Sequence, residues 1–171
     1  MARWAAFLRG VNVGSIKVTS AALCSCLEDL GLTDVVTVLA SGNAVFSSPR
    51  QRAPLKTAIE QALRDTFGYD AWIVLFNAAD VTAAIDGCTL QPKGGWHTYF
   101  LLASDDATLD ELEGLVPADE PLARGPHVLY WQVREGETLH TPFSKTLAKP
   151  KYKAHSTMRN SRTMAKVAAR L

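Results

Sequence analysis

Three short polar phrases in the chain carry residue types suited to one chemistry, the recognition of an anion. The first is Arg9-Gly10-Val11-Asn12-Val13-Gly14, which closes an apolar run beginning at Trp4. A guanidinium at the end of a buried strand must find partners. Its planar fork matches a carboxylate or a phosphate. Gly10 and Gly14 let the backbone turn sharply or approach a ligand closely, and their N–H groups can form an anion-binding nest. The second phrase is Ser41-Gly42-Asn43, a turn signature in which Asn tolerates the left-handed conformation. The third is Thr157-Met158-Arg159-Asn160, just ahead of the last amphipathic stretch. Thr157, Asn160 or Ser161 can cap that helix, and its free N–H groups with Arg159 and Arg162 suit an anion. Ser144-Lys145 is a weaker candidate for a phosphate contact. Each phrase also has a purely structural reading: an internal ion pair for Arg9, a plain hairpin turn, and a helix cap with solvated arginines. Residue types alone leave both readings open.

No recognised catalytic constellation accompanies them. The chain has no G-x-x-x-x-G-K-[ST], G-x-S-x-G or H-E-x-x-H. His97, His127, His140 and His155 lie far apart without ligand spacing, so no metal and no cofactor is expected. Asp105-Asp106 and Asp110-Glu111 read as helix-start and solvated-face charges. Cys24, Cys26 and Cys88 are odd in number, and the C-x-C pair falls on different faces of a helix. Small buried side chains in a reducing compartment fit them best.

The elements that must position the polar phrases follow from periodicity. Residues 3–13 predict a first strand, buried on both faces by its continuous apolar pattern. A helix follows, capped by Thr19 or Ser20, with Leu23, Leu27 and Leu30 on one face and Gly31 closing it. Val35 to Leu39 and Ala44 to Ser47 predict strands flanking the Ser41 turn. A second helix runs from Pro54 to Gly68, and Trp72 to Phe76 is a fourth strand. This order, β-α-β-β-α-β, is the ferredoxin-like arrangement. Right-handed crossovers then make strands one and two parallel, with strand three between them. The Arg9 phrase and the Ser41 phrase must share one edge, where strand four begins after Gly68-Tyr69-Asp70.

Beyond a boundary near Asn77-Ala78 the pattern is less regular. It predicts helices at 79–85 and 108–115, strands at 96–103 and 128–134, a short returning segment after Glu135-Gly136-Glu137 and a helical turn at 144–148. An amphipathic end carries Met164, Val167, Ala168 and Leu171. The expected architecture is α+β: a ferredoxin-like unit over residues 1–77 and a second, smaller α+β unit over 78–171. No internal repeat is strong enough to assign.

Composition narrows the setting. The 171 residues are 47% hydrophobic, enough for a substantial core. No apolar run approaches the roughly 20 residues of a membrane span, and Arg9 interrupts the first apolar run, unlike a secretory signal. A cytoplasmic protein without membrane contact is expected. The net charge of +1 conceals a split. Residues 138–171 hold eight basic and no acidic residues, leaving a net −7 on the first 137. Such a split suggests an anionic partner or a basic segment docked on an acidic body.

Taken together, FLRGVNVG, SGNAVFSS and TMRNSRTMAKVA, in this order and at these distances, resemble the bacterial DUF1697 family, whose function is not established. The resemblance covers nearly the whole chain and implies a two-part α+β protein with a ferredoxin-like first half. It implies no activity. Ser15, Ala40 and Ser161 stand where the family usually has Gly, Gln and Trp. The polar pattern survives as Arg9, Asn12, Ser41, Asn43, Ser144, Lys145, Thr157, Arg159 and Asn160. The resulting expectation is a module binding a phosphorylated small molecule, a nucleotide or a nucleic-acid end through an edge centred on Arg9. Two alternatives stand beside it: an enzyme acting on an anionic metabolite, and a structural or dimerisation role for that edge. The oligomeric state is not encoded in any recognisable pattern.

Overall fold

The computed structural model describes residues 1–40 and 42–171; the expectations placed on Ser41 lie outside the described residues. The first sheet contains β1 (Ala2–Arg9), β2 (Thr33–Val38), β3 (Asn43–Ser48) and β4 (Trp72–Asn77) in the order β2-β3-β1-β4, with every neighbouring pair antiparallel. This is the ferredoxin-like order expected for the first half. Helices α1 (Ser20–Asp29) and α2 (Arg52–Phe67) make its two crossovers. Thr19 caps α1 by accepting from the Ala22 N–H, and Gly68 closes α2 in the left-handed conformation, φ +66°. β1 stops at Arg9 rather than running to residue 13, because Gly10 takes a positive φ and turns the chain.

The second half is α+β as expected but not smaller, since residues 78–171 outnumber residues 1–77, and it holds strands that periodicity did not mark. After α3 (Ala78–Asp86), it contains β5 (Trp96–Ala103), α4 (Asp106–Glu113), β6 (Leu122–Gly125), β7 (Val128–Arg134), α5 (Pro142–Leu147), α6 (Pro150–Lys153), β8 (Ser156–Asn160) and α7 (Ser161–Ala168). Its strands form a second antiparallel sheet in the order β6-β7-β5-β8. Numbered from its own start, that is the order 2-3-1-4 of the first sheet. The two halves share one topology. The periodicity missed β6 and β8 because both are short edge strands, and polar residues dominate β8. The returning segment expected after residue 137 is not a strand, and Thr157 to Asn160 forms β8 rather than a loop before α7.

Three apolar layers result. One face of the first sheet, with Trp4, Ala6, Leu8 and Phe46, packs on Leu23, Leu27, Leu55 and Ile59 of α1 and α2. Its other face carries Ala5, Phe7, Val45 and Phe76, which share a core with Phe100, Leu102, Val128 and Tyr130 of the second sheet. Val81 of α3 and Met164 of α7 complete that middle layer. The outer face of the second sheet packs Leu101, Leu129 and Trp131 against Leu109, Leu112 and Phe143. β1 is thus buried on both faces, as its continuous apolar pattern implies.

The middle layer makes the halves interdependent. Phe7 has no exposed surface and stacks edge-on against Phe76, centroids 6.0 Å apart. Replacing Phe7 with Ala is expected to cost about 3–5 kcal/mol. Chemical denaturation followed by tryptophan fluorescence and by far-ultraviolet circular dichroism should show a single transition moved to lower denaturant in both signals. Separate transitions for the two signals would contradict a shared core.

Candidate functional site

Arg9 ends β1 opposite Trp72, the first residue of β4. From there its guanidinium reaches into the second half of the chain. Nη1 donates to the Ser156 carbonyl at 2.6 Å and Nη2 to the Leu147 carbonyl at 2.7 Å. Leu147 is the last residue of α5, so the cation also sits at the negative end of that helix. The expected structural alternative was an internal carboxylate. Instead, no ion pair among the described residues involves Arg9. Burial pulls its pKa below the usual arginine value. Two of the five guanidinium N–H groups are engaged among the described residues, and three are left over.

Arg159 behaves differently. It lies in β8 opposite Phe100 and uses all five donors. Nε donates to Asn43 Oδ1 at 2.6 Å, Nη1 to Thr157 Oγ1 and the Met158 carbonyl, and Nη2 to the carbonyls of Leu8 and Gly42. Its guanidinium lies 5.7 Å from the Phe7 ring centroid. Asn43 is held in turn by donating to the Val38 carbonyl at 2.9 Å. Burial, and then the charge of Arg9, push the Arg159 pKa down to about 10. Two neighbouring guanidinium groups therefore occupy the seam between the halves, with carbonyl and amide oxygens rather than carboxylates around them.

The residues singled out in the sequence divide accordingly. Arg9, Asn43, Thr157 and Arg159 lie at this seam. Asn43 is extended, φ −140°, and is not the left-handed turn residue. The positive φ values fall on Leu39 and Ala40, just before a short 3-10 turn at Ala40–Gly42. Asn12 accepts from the Val18 N–H at 3.1 Å and so shapes the loop after β1; Gly14, φ +63°, turns that same loop. Ser144 is bound to Thr141, which caps α5, and lines a small cleft of about 240 Å³ that Arg9 also borders. Lys145 is exposed and lines none of these clefts. Asn160 caps α7 by accepting from the Thr163 N–H at 2.8 Å.

A second cleft, of about 490 Å³, opens beside Arg9 and Gly10 and is bordered by Val13, Tyr69, Asp70, Trp72 and Lys153. Tyr69, Trp72 and Lys153 were not selected from the sequence. The signal for the first two was the prediction that strand four begins on this edge. Lys153 belongs to the basic final third. The Tyr69 hydroxyl is buried without a hydrogen-bond partner among the described residues. Burial, and then Cys26, raise its pKa to about 12. No cluster of His, Cys, Asp and Glu among the described residues could hold a metal.

Residues 1–130 match the protein family of unknown function DUF1697. The chain belongs to that family. A solved relative, the conserved bacterial protein SP0830 from Streptococcus pneumoniae, is 27% identical, with 99% of this chain and 98% of that chain covered and a TM-score of 0.80. No curated protein matches the chain. Among the described residues no helix is long and apolar enough to cross a membrane. Arg9 and Asn43 fall within the matched residues, whereas Thr157 and Arg159 lie beyond them.

Two measurements check this geometry. Arg159→Ala would leave the Asn43 amide and several carbonyls without their donor, and should cost about 2–4 kcal/mol in denaturant unfolding. An unchanged midpoint would contradict its bonding. Tyr69 gives a pH test. Its folded pKa of about 12 exceeds the ordinary 10, so between those values the folded state holds a proton that the unfolded chain has lost. Its contribution to stability therefore falls as pH rises from about 10 to about 12. Ultraviolet difference titration should show less phenolate forming near pH 11 in the native protein than in Tyr69→Phe plus one free tyrosine equivalent. Full ionisation of Tyr69 near pH 10 would refute its burial.

Proposed function

We propose that this protein is a binding module for a phosphorylated group, carried by a small molecule, a nucleotide or a nucleic-acid end, in the cleft beside Arg9. The observation that carries the reading is Arg9 itself: a desolvated guanidinium with two of five donors on carbonyls and no carboxylate within ion-pair distance among the described residues. A phosphate there would meet its remaining donors, with Lys153 also bordering the cleft and Tyr69, whose hydroxyl is unpartnered among the described residues, in its lining. Gly10, with φ +80°, turns the backbone at the mouth. Asp70 borders the cleft as well, and Arg64, 3.8 Å away, partly offsets its charge. Binding fits better than catalysis because the shifted acid in the cleft is a phenol near 12, a poor proton donor or acceptor at neutral pH.

A second reading, a structural role for the polar edge, is favoured at Arg159 by its five satisfied donors. The two readings are compatible: Arg159 fastens the seam, and Arg9 faces the cleft.

The test is calorimetric titration with pyrophosphate, ribose 5-phosphate and a short oligonucleotide with and without a 5′-phosphate, at low and high salt. Binding should require the phosphate and weaken as salt rises. Lys153→Ala, an exposed residue, should weaken it by about three- to tenfold without altering stability. A flat response to every probe at both salt concentrations would sink the reading.

A further inference from the structure

A larger cavity, about 780 Å³, lies in the second half between the end of α3, the loop over residues 88–94, β5 and the start of α7. Arg9 does not border it. We propose that this cavity is a separate site for a mononucleotide-like ligand, a flat aromatic ring carrying a phosphate.

Four observations point there. The volume falls within the range that holds cofactor-sized molecules. Ile85, Leu90 and Phe100 supply an apolar wall. The cationic side chains on its lining are Lys93 and Arg162, with no Asp or Glu among the lining residues. Trp96 stands among them, with Lys93 Nζ 4.0 Å from its ring centroid and the Arg134 guanidinium at 5.4 Å. A cation held against an indole next to an apolar wall suits a ligand that is aromatic at one end and anionic at the other.

The cavity is also held in shape. Gln132 Nε2 donates to the Gln91 carbonyl at 2.7 Å and to Thr98 Oγ1 at 3.0 Å, tying the loop to β5 from β7. His97 is drawn toward Glu135, 3.9 Å away. Arg162 makes no hydrogen bond or ion pair among the described residues, so its fork is free for a phosphate. Ring binding would fall to the Trp96 side and phosphate binding to Lys93 and Arg162. This site does not rest on the Arg9 reading, and either can fail alone.

The probe is adenosine 5′-monophosphate, compared with adenosine and with inorganic phosphate. Affinity is measured by calorimetry and location by the indole N–H resonances, with Trp96→Leu assigning the Trp96 signal. The monophosphate should bind about tenfold or more tightly than either fragment and shift the Trp96 resonance. Arg162→Ala, an exposed and unbonded position, should weaken it by about tenfold, while Arg9→Gln should leave the Trp96 shift unchanged. Three results would overturn the proposal: no Trp96 shift at millimolar nucleotide, unaltered affinity in Arg162→Ala, or binding that moves Trp72 and depends on Arg9 instead. The last result would assign the nucleotide to the Arg9 cleft, and no binding there by phosphate probes would overturn only that other reading.

Discussion

A guanidinium taken out of water costs stability unless its donors find acceptors. Arg159 receives them from both halves of the chain: Asn43, Gly42 and Leu8 from the first, Thr157 and Met158 from the second. That requirement fixes how the halves meet. β8 must lie where Arg159 can reach the end of β1 and the start of β3 together. Asn43 must be extended and buried so that its amide bridges Arg159 and Val38. The middle apolar layer supplies most of the adhesion, since burial of Phe7, Phe76, Phe100 and Tyr130 is worth about 1.5–3 kcal/mol for each side chain. Burial is non-directional, however, and tolerates sliding. The hydrogen bonds of Arg159 and Arg9 are directional, and they select one register from those that the apolar layer would accept.

The shared topology of the two sheets gives this arrangement a further meaning. Each sheet places the end of its first strand beside the start of its fourth, as Arg9 lies opposite Trp72 and Ala103 lies opposite Ser156. In the first sheet that edge carries Arg9. In the second it carries Ala103 and Ser104, followed by the acidic cap Asp105. The edges are alike in backbone and opposite in charge. The basic final third answers this in part: Lys151 and Tyr152 both bond Glu111, and His155 lies 3.6 Å from Asp105. Some of the segment is therefore docked on acidic α4, as one reading of the charge split required. Lys153 instead borders the cleft of Arg9, and Arg162 borders the cavity beside Trp96.

The first half was readable from the sequence because its signals were local and strong. Thr19, Gly31 and Gly68 mark helix ends through cap chemistry, and the apolar run of β1 reports burial on both faces. Strand order followed from handedness, which places Arg9, Asn43 and the start of β4 on one edge. β6 and β8 were not readable in the same way. A strand recognised by apolar alternation must bury one face, whereas β8 spends its residues on hydrogen bonds: Thr157 and Arg159 bind each other, and Asn160 caps a helix. Its strand character comes from pairing with β5, which is a property of the partner rather than of its own composition. The positive φ values of Leu39 and Ala40 escaped for a related reason. Neither residue favours that conformation, so it is imposed from outside, where the chain must deliver Asn43 to Arg159.

The candidate site shows the same division between residue type and geometry. Arg9, Asn43, Thr157 and Arg159 lie together at the seam, but convergence alone does not make a ligand site. What separates the two arginines is donor arithmetic. Arg159 has none left, and a ligand could take its fork only by breaking the seam. Arg9 has three left and borders open space on two sides. The repulsion that helps lower the Arg159 pKa acts between the same two groups. An anion on the outer face of Arg9 would relieve it, and would strengthen both cations by offsetting charge that no described carboxylate offsets. Ligand binding at the cleft and fastening of the seam would then be coupled, with Arg9 belonging to both.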